Sequence, residues 1–177
     1  MKKNRKLKKR KNLAVIFGNI YQKKVLYKDI SLNKNKYQSL LKKMSIKEII
    51  DIGSKIDISK QIRFINIKKI GIRSKNYISL LLRNSKVGLV FYPVSQMTKS
   101  GIIAAYASHG LLIVNSCKEQ ITYTNEFKSG VNFVSRIREI DESNLQQIAD
   151  SAFKRYKKYN LVKTASLIKY FLIYGKI

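Results

Sequence analysis

The segment Tyr92-Pro93-Val94-Ser95-Gln96-Met97-Thr98-Lys99-Ser100-Gly101 holds the residues whose types and spacing best suit chemistry. It joins the end of an apolar, strand-like run to the start of a helix of small residues. The first amides of a helix have no intrahelical acceptor, and the helix dipole is positive there, so such a start suits a phosphate. Ser100 caps the helix or donates its hydroxyl, Gly101 lets a ligand approach the backbone, and Lys99, next to Thr98, adds a point charge. An ordinary capped helix explains Ser100 and Gly101 equally well and leaves Lys99 incidental, so both readings stand. A second phosphate-facing turn is expected at Phe17-Gly18-Asn19-Ile20-Tyr21-Gln22-Lys23-Lys24, where Gly18 permits a tight turn and Lys23 or Lys24 reaches over the same crevice.

The commoner catalytic sets are missing from the sequence. There is no His/Cys spacing for a metal, no Walker A pattern and no Gly-x-Gly-x-x-Gly, so no metal and no cofactor is expected. Cys117 is the only cysteine and His109 the only histidine. An intrachain disulfide is therefore impossible, and Cys117 is read as a small, partly buried side chain at a strand end. His109 falls in a last helical turn just before Gly110, where an imidazole meets free carbonyls. Asp51 lies inside a predicted strand with no acidic partner. No residue is singled out as a catalytic base.

These residues need elements to hold them. Strand-length apolar runs alternate with segments of helical period. Strands are expected at Leu13–Gly18, Glu48–Gly53, Phe64–Ile67, Val87–Tyr92 (stopped by Pro93, the sole proline) and Leu111–Asn115. Helices are expected over Asn33–Met44, from the Ser74 cap to about Arg83, and over Ser100–His109 with Gly110 as its left-handed stop. A looser section has short strands at Ile121–Tyr123 and Val131–Val134. From Ser143, the residues Leu145, Ile148, Ala149, Ala152, Phe153 and Tyr156 give the strongest helical period in the chain, and a last helix is expected over Leu161–Tyr174. This alternation predicts an α/β, Rossmann-like open sheet, mostly parallel, with helices on both faces. Ligands then bind at the carboxyl ends of the strands, near a topological switch point.

Composition sets the frame. The 177 residues, 45% of them hydrophobic, suffice for one domain with a sizeable core. Residues 1–12 are expected to form a disordered basic arm, and 13–177 a single domain. Lys and Arg number 37 against 10 Asp and Glu, a net charge of +27 that attracts phosphorylated ligands, nucleic acid or anionic membranes. Lys, Ile and Asn are abundant along the whole chain, which gives the charge a compositional source. No apolar run is long enough for a membrane span. The lone thiol fits a cytoplasmic protein, with a peripheral place on the inner face of the membrane as an alternative.

Ser85-Lys86-Val87-Gly88-Leu89-Val90-Phe91-Tyr92-Pro93, followed by Lys99-Ser100-Gly101-Ile102-Ile103-Ala104-Ala105-Tyr106-Ala107-Ser108-His109-Gly110-Leu111-Leu112-Ile113-Val114, resembles the donor half of GT-B glycosyltransferases of the group 1, family 4-like kind. There a strand ends in a Pro-containing loop, and a small-residue helix starts under the donor diphosphate and ends in His-Gly. Ala14–Asn19 is similar to the first strand of that domain, and the stretches from Ser143 and over Tyr156–Phe171 to its closing helices. The resemblance implies binding of a nucleotide-diphosphate sugar as substrate, for hexosyl transfer of the sort used in polysaccharide biosynthesis. The diphosphate would lie against Gly18, Asn19, Lys24, Thr98, Lys99, Ser100 and Gly101, and the nucleoside against Gly71, Ile72, Tyr92 and Pro93. Many retaining members carry two glutamates at the positions held here by Met97 and Ala105, the second of which holds the donor ribose.

The family's site lies between two domains, and this chain starts about where the second begins. The expectation is therefore an enzyme half that needs an N-terminal, acceptor-binding partner chain, or an inactive remnant. The other expectations are a basic nucleic-acid binder or a membrane-peripheral protein. A nucleic-acid binder concentrates its lysines and aromatics on one face, whereas here only Lys2–Lys11 forms a true cluster.

Overall fold

The computed structural model describes residues 6–54, 56, 62–117, 127–135, 142–159 and 165–166. Five strands form one sheet: β1 (Lys11–Phe17), β2 (Glu48–Ile52), β3 (Asn66–Gly71), β4 (Ser85–Val90) and β5 (Leu112–Asn115). Every pairing is parallel and the order is β3-β2-β1-β4-β5. The chain thus winds outward from β1 in one direction and then returns to its other side. The switch point falls between β1 and β4. The expected α/β, Rossmann-like architecture is the observed one.

The helices are α1 (Ile20–Leu32), α2 (Lys34–Lys43), α3 (Lys75–Asn84), α4 (Gly101–Ser108) and α5 (Leu145–Lys158). Alternation along the strands divides the core in two. Ala14, Ile16, Ile49, Val87 and Leu89 pack under α1 and α2, through Leu26, Ile30, Tyr37 and Leu40. Val15, Ile50, Ile52 and Ile113 pack under α3 and α4, through Leu82, Ile103, Tyr106 and Ala107. α5 joins both cores, with Leu145, Ile148 and Ala149 in the first and Ala152 in the second. It therefore runs along the rim of the sheet and covers the outer strand β5. At the other rim β3 is the terminal strand, half-exposed, with Lys68 and Lys69 in its middle.

Local signals set several boundaries. Ser74 Oγ accepts the Tyr77 amide at 3.3 Å and Ser100 Oγ accepts the Ile103 amide at 3.3 Å, so α3 and α4 start where their caps predict. Gly110, at φ 64, ends α4 in the left-handed region. Three expectations need correction. α1 occupies what reads as a turn over residues 20–24, because Asn19 caps it: its Oδ1 accepts the Gln22 amide at 2.9 Å. β3 lies later than Phe64–Ile67, at Asn66–Gly71. Val131–Val134 forms no strand, and two isolated bridges tie Val134 to Val114 and Phe133 to Ser129. The expected strand at Ile121–Tyr123 and nearly all of the expected helix at Leu161–Tyr174 lie outside the described residues.

The basic arm is also corrected from Lys6 onward. Leu7–Lys9 is a short 3-10 turn with Leu7 buried, and the Leu7 amide donates to Gln146 Oε1 of α5 at 2.7 Å. Arg10 is 5% exposed and donates to Ser85 O at 3.0 Å and to His109 O at 2.9 Å. A guanidinium buried on two carbonyls holds this stretch in place. Residues 1–5 lie outside the described residues.

Tyr106 holds the switch point. Its ring lies on Gly88 of β4, where a Cβ would come within 2.5 Å of Cδ2 and 2.7 Å of Cε2. Its hydroxyl accepts the Phe17 amide at 2.9 Å and faces the carbonyls of Val15 and Leu89 at 3.2 and 3.3 Å. The β1–β4 pairing ends at Ile16 and Leu89, so a phenol stands where the next backbone rung would form. Gly88→Ala should destabilise the fold by about 3 kcal/mol, the upper range for overpacking a core. Adding Tyr106→Leu should restore part of that loss in urea denaturation. Equal stability of Gly88→Ala and wild type would show that the ring has room to move.

Candidate functional site at the carboxyl edge

Gly18 and Asn19 follow β1, and Tyr92 and Pro93 follow β4, so both loops open on the carboxyl edge beside the switch point. α4 starts on the same edge. A Cβ on Gly18 would sit 3.3 Å from Ile102 Cδ1, so the first turn of α4 abuts the β1 loop. Ser100 is buried, whereas Thr98, Lys99 and Gly101 are exposed. A Cβ on Gly101 would meet nothing within 4 Å. The amides of Gly101 and Ile102 have no acceptor among the described residues. Two N–H groups without an acceptor among the described residues, at the positive end of α4 and beside the exposed Gly101, are what an anion needs.

The other expected site residues are less close. Gly71 ends β3, at φ 70, and its carbonyl accepts the Gly53 amide at 2.9 Å. β3 is three strands from β4, so Gly71 and the exposed Ile72 stand roughly 14 Å from the Tyr92 loop at ordinary strand spacing. Tyr92 is tied to Asn115: its amide donates to Oδ1 at 2.9 Å, and Nδ2 donates to its carbonyl at 2.7 Å. Asn115, wholly buried, thus staples the ends of β4 and β5. Lys24 is exposed in the second turn of α1.

Lys23 does not reach over the crevice. It is 1% exposed and forms an ion pair with Asp51 of β2, also buried. Its Nζ donates to Ser54 O at 3.0 Å, and Tyr27 Oη donates to Asp51 Oδ2 at 2.8 Å. This Lys23–Asp51–Tyr27 cluster lies beneath the edge and joins α1 to β2. The sequence holds one hint of it: a carboxylate in the middle of an apolar run requires a partner.

The lone thiol and the lone imidazole are far apart. Cys117 follows β5 at the carboxyl edge, whereas His109 ends α4 at the amino edge. Burial pushes the Cys117 thiol up, so it stays protonated at neutral pH. His109 Nδ1 lies 2.8 Å from Ala105 O and Nε2 lies 2.8 Å from Ser79 Oγ. This is a neutral imidazole clamping α3 to the end of α4, and burial lowers its pKa. Among the described residues no group of His, Cys, Asp and Glu is placed to hold a metal. No helix among them is long and apolar enough to cross a membrane.

Two cavities border the sheet ends. One, of about 260 Å³, is lined by Thr98, Lys99, Ser100 and Gly101 together with Phe127, Arg155, Tyr156 and Tyr159. The Arg155 guanidinium lies 4.4 Å from the Phe127 ring centre and 5.1 Å from that of Tyr159. Phe127, Arg155 and Tyr159 belong to no local motif, Tyr156 reads only as part of a helical stripe, and only the fold brings the four to Ser100. The larger cavity, about 390 Å³, lies at the amino edge among Lys6, Lys8, Lys43 and Lys86. There Lys86 donates to Met44 O at 3.1 Å and closes the end of α2. Ligands of open parallel sheets bind at the carboxyl edge, which favours the first cavity. No protein-family model matches the chain, and no curated protein matches it.

Proposed function

We propose that the chain is a nucleotide-sugar-binding domain that seats the donor diphosphate on the first turn of α4, with a partner domain supplying the acceptor. The observation that carries this reading is the pair of unsatisfied amides at Gly101 and Ile102, placed at the switch point of a β3-β2-β1-β4-β5 sheet. The sequence resemblance around Lys99, Ser100 and Gly101 falls on the same turn. Gly18 stands against Ile102, so the β1 loop forms the near wall of the same crevice.

Gly101→Val tests the reading. The added side chain meets no protein atom at its Cβ, so the fold survives, and its bulk crowds the first turn of α4. Losing one charge-assisted hydrogen bond costs about 1.5–3 kcal/mol. Calorimetric titration with uridine and guanosine diphosphates should therefore give at least about tenfold weaker binding to Gly101→Val than to wild type. Equal affinity would place the diphosphate elsewhere.

A further inference from the structure

We infer that the cavity between α4 and α5 seats the base of the bound nucleotide, on the α5 side of the diphosphate and not toward Gly71 and Ile72. This rests on the diphosphate reading above. The cavity begins at the turn that would hold the phosphates, since Lys99, Ser100 and Gly101 form its rim. From there it runs down the side of α4 over Ile103, Ala104 and Ala107. These side chains are apolar, and the two alanines leave the space that a flat ring fills. Phe127, Tyr156 and Tyr159 form the opposite wall. Aromatic walls with a few polar groups at one end match a base attached to an anion.

The charges select the kind of base. Among the described residues, Lys99 and Arg155 are the only ionised side chains lining the cavity. The Arg155 guanidinium, held beside the rings of Phe127 and Tyr159, brings a planar set of N–H donors to the cavity wall. A guanidinium pairs best with a carbonyl oxygen, alone or beside a ring nitrogen as in O6 and N7 of guanine, whereas adenine sets an amine beside its N7. Uracil and guanine are therefore favoured over adenine. Among the described residues no carboxylate lines the cavity.

Ala104→Leu fills the cavity without removing any polar group, and Tyr159→Ala removes one wall from a half-exposed position. Titrations of wild type and both variants use uridine, guanosine and adenosine diphosphates and inorganic pyrophosphate as probes. Wild type should bind the uridine and guanosine nucleotides at least about fivefold more tightly than the adenosine nucleotide. Ala104→Leu should weaken uridine diphosphate about tenfold and leave pyrophosphate unchanged, and Tyr159→Ala should act in the same direction. Bound base should also quench tyrosine fluorescence, which no tryptophan masks because the chain has none. If Gly101→Val loses the nucleotide while Ala104→Leu and Tyr159→Ala bind it as wild type does, the base sits elsewhere and the diphosphate site stands. If wild type binds none of the nucleotides and no pyrophosphate, both readings fall.

Discussion

Lys23→Met should lower the stability of the domain by about 3–5 kcal/mol, the usual cost of leaving one partner of a buried ion pair behind. The Asp51 carboxylate would keep only the Tyr27 hydroxyl, in a place with almost no solvent. The Ser54 carbonyl would lose its donor as well. The triple variant Lys23→Met, Tyr27→Phe, Asp51→Leu should recover most of the loss, because an apolar cluster of similar volume needs no desolvation of charge. Urea denaturation of the three proteins measures this directly. A Lys23→Met domain within about 1 kcal/mol of wild type would mean that water or a rearranged side chain replaces the ammonium.

That cluster also explains which parts of the fold the sequence conceals. The buried stripe of α1 is Lys23, Leu26, Tyr27 and Ile30. Its spacing is helical, but a lysine heads it, so hydrophobic periodicity breaks where the helix begins. Only Asp51, on another element, makes that lysine an inside residue. β3 is obscured for a related reason. Its middle is Lys68-Lys69, suited to an outer strand, and the apolar run before it attracts the assignment instead. By contrast α3, α4 and α5 are legible, because a serine cap, a glycine stop and a regular apolar stripe act within a few residues of themselves. The candidate site divides in the same way. Thr98 to Gly101 stand out locally, whereas Phe127, Arg155 and Tyr159 meet them only through the path of α5 along the rim.

Raising the pH above 10 should destabilise the domain steeply. Burial, with a carboxylate adding to it, holds the phenols of Tyr27 and Tyr37 far above their ordinary range. Burial does the same to Tyr106. All three therefore stay neutral in the native state, while in the unfolded chain they ionise from about pH 10. Their contribution to stability is complete below that value and is lost as the pH climbs toward the native pKa values. Each phenol accounts for about 1.4 kcal/mol at pH 11, so the three together remove about 4 kcal/mol. Phenolate absorbance and far-ultraviolet circular dichroism, followed in one titration, should show these three ionising only as helix is lost. Tyr37→Phe, which removes the hydroxyl bonded to Asp29 at 2.7 Å, should make the pH dependence shallower by about one third. Full ionisation of every tyrosine with the helices intact would overturn the assignment.

The two rims of the sheet differ, and the difference bears on how copies of the chain meet. An uncovered outer strand offers a row of backbone donors and acceptors on which a second molecule can extend the sheet. At β5 part of that row is taken by Val134, whose carbonyl accepts the Asn115 amide and whose amide donates to Ile113 O, both at 2.9 Å, with α5 packed alongside. At β3 it is guarded by the exposed Lys68, while Lys69 donates to Ile56 O at 2.6 Å, on a molecule of net charge +27. Two such rims approaching each other bring like charges together before any backbone hydrogen bond can form. The abundance of lysine, whatever its origin, thus acts as a colloidal safeguard at the one sheet edge without a covering helix among the described residues. High salt, which shortens the reach of that repulsion to a few ångströms, is the condition under which the protection fails.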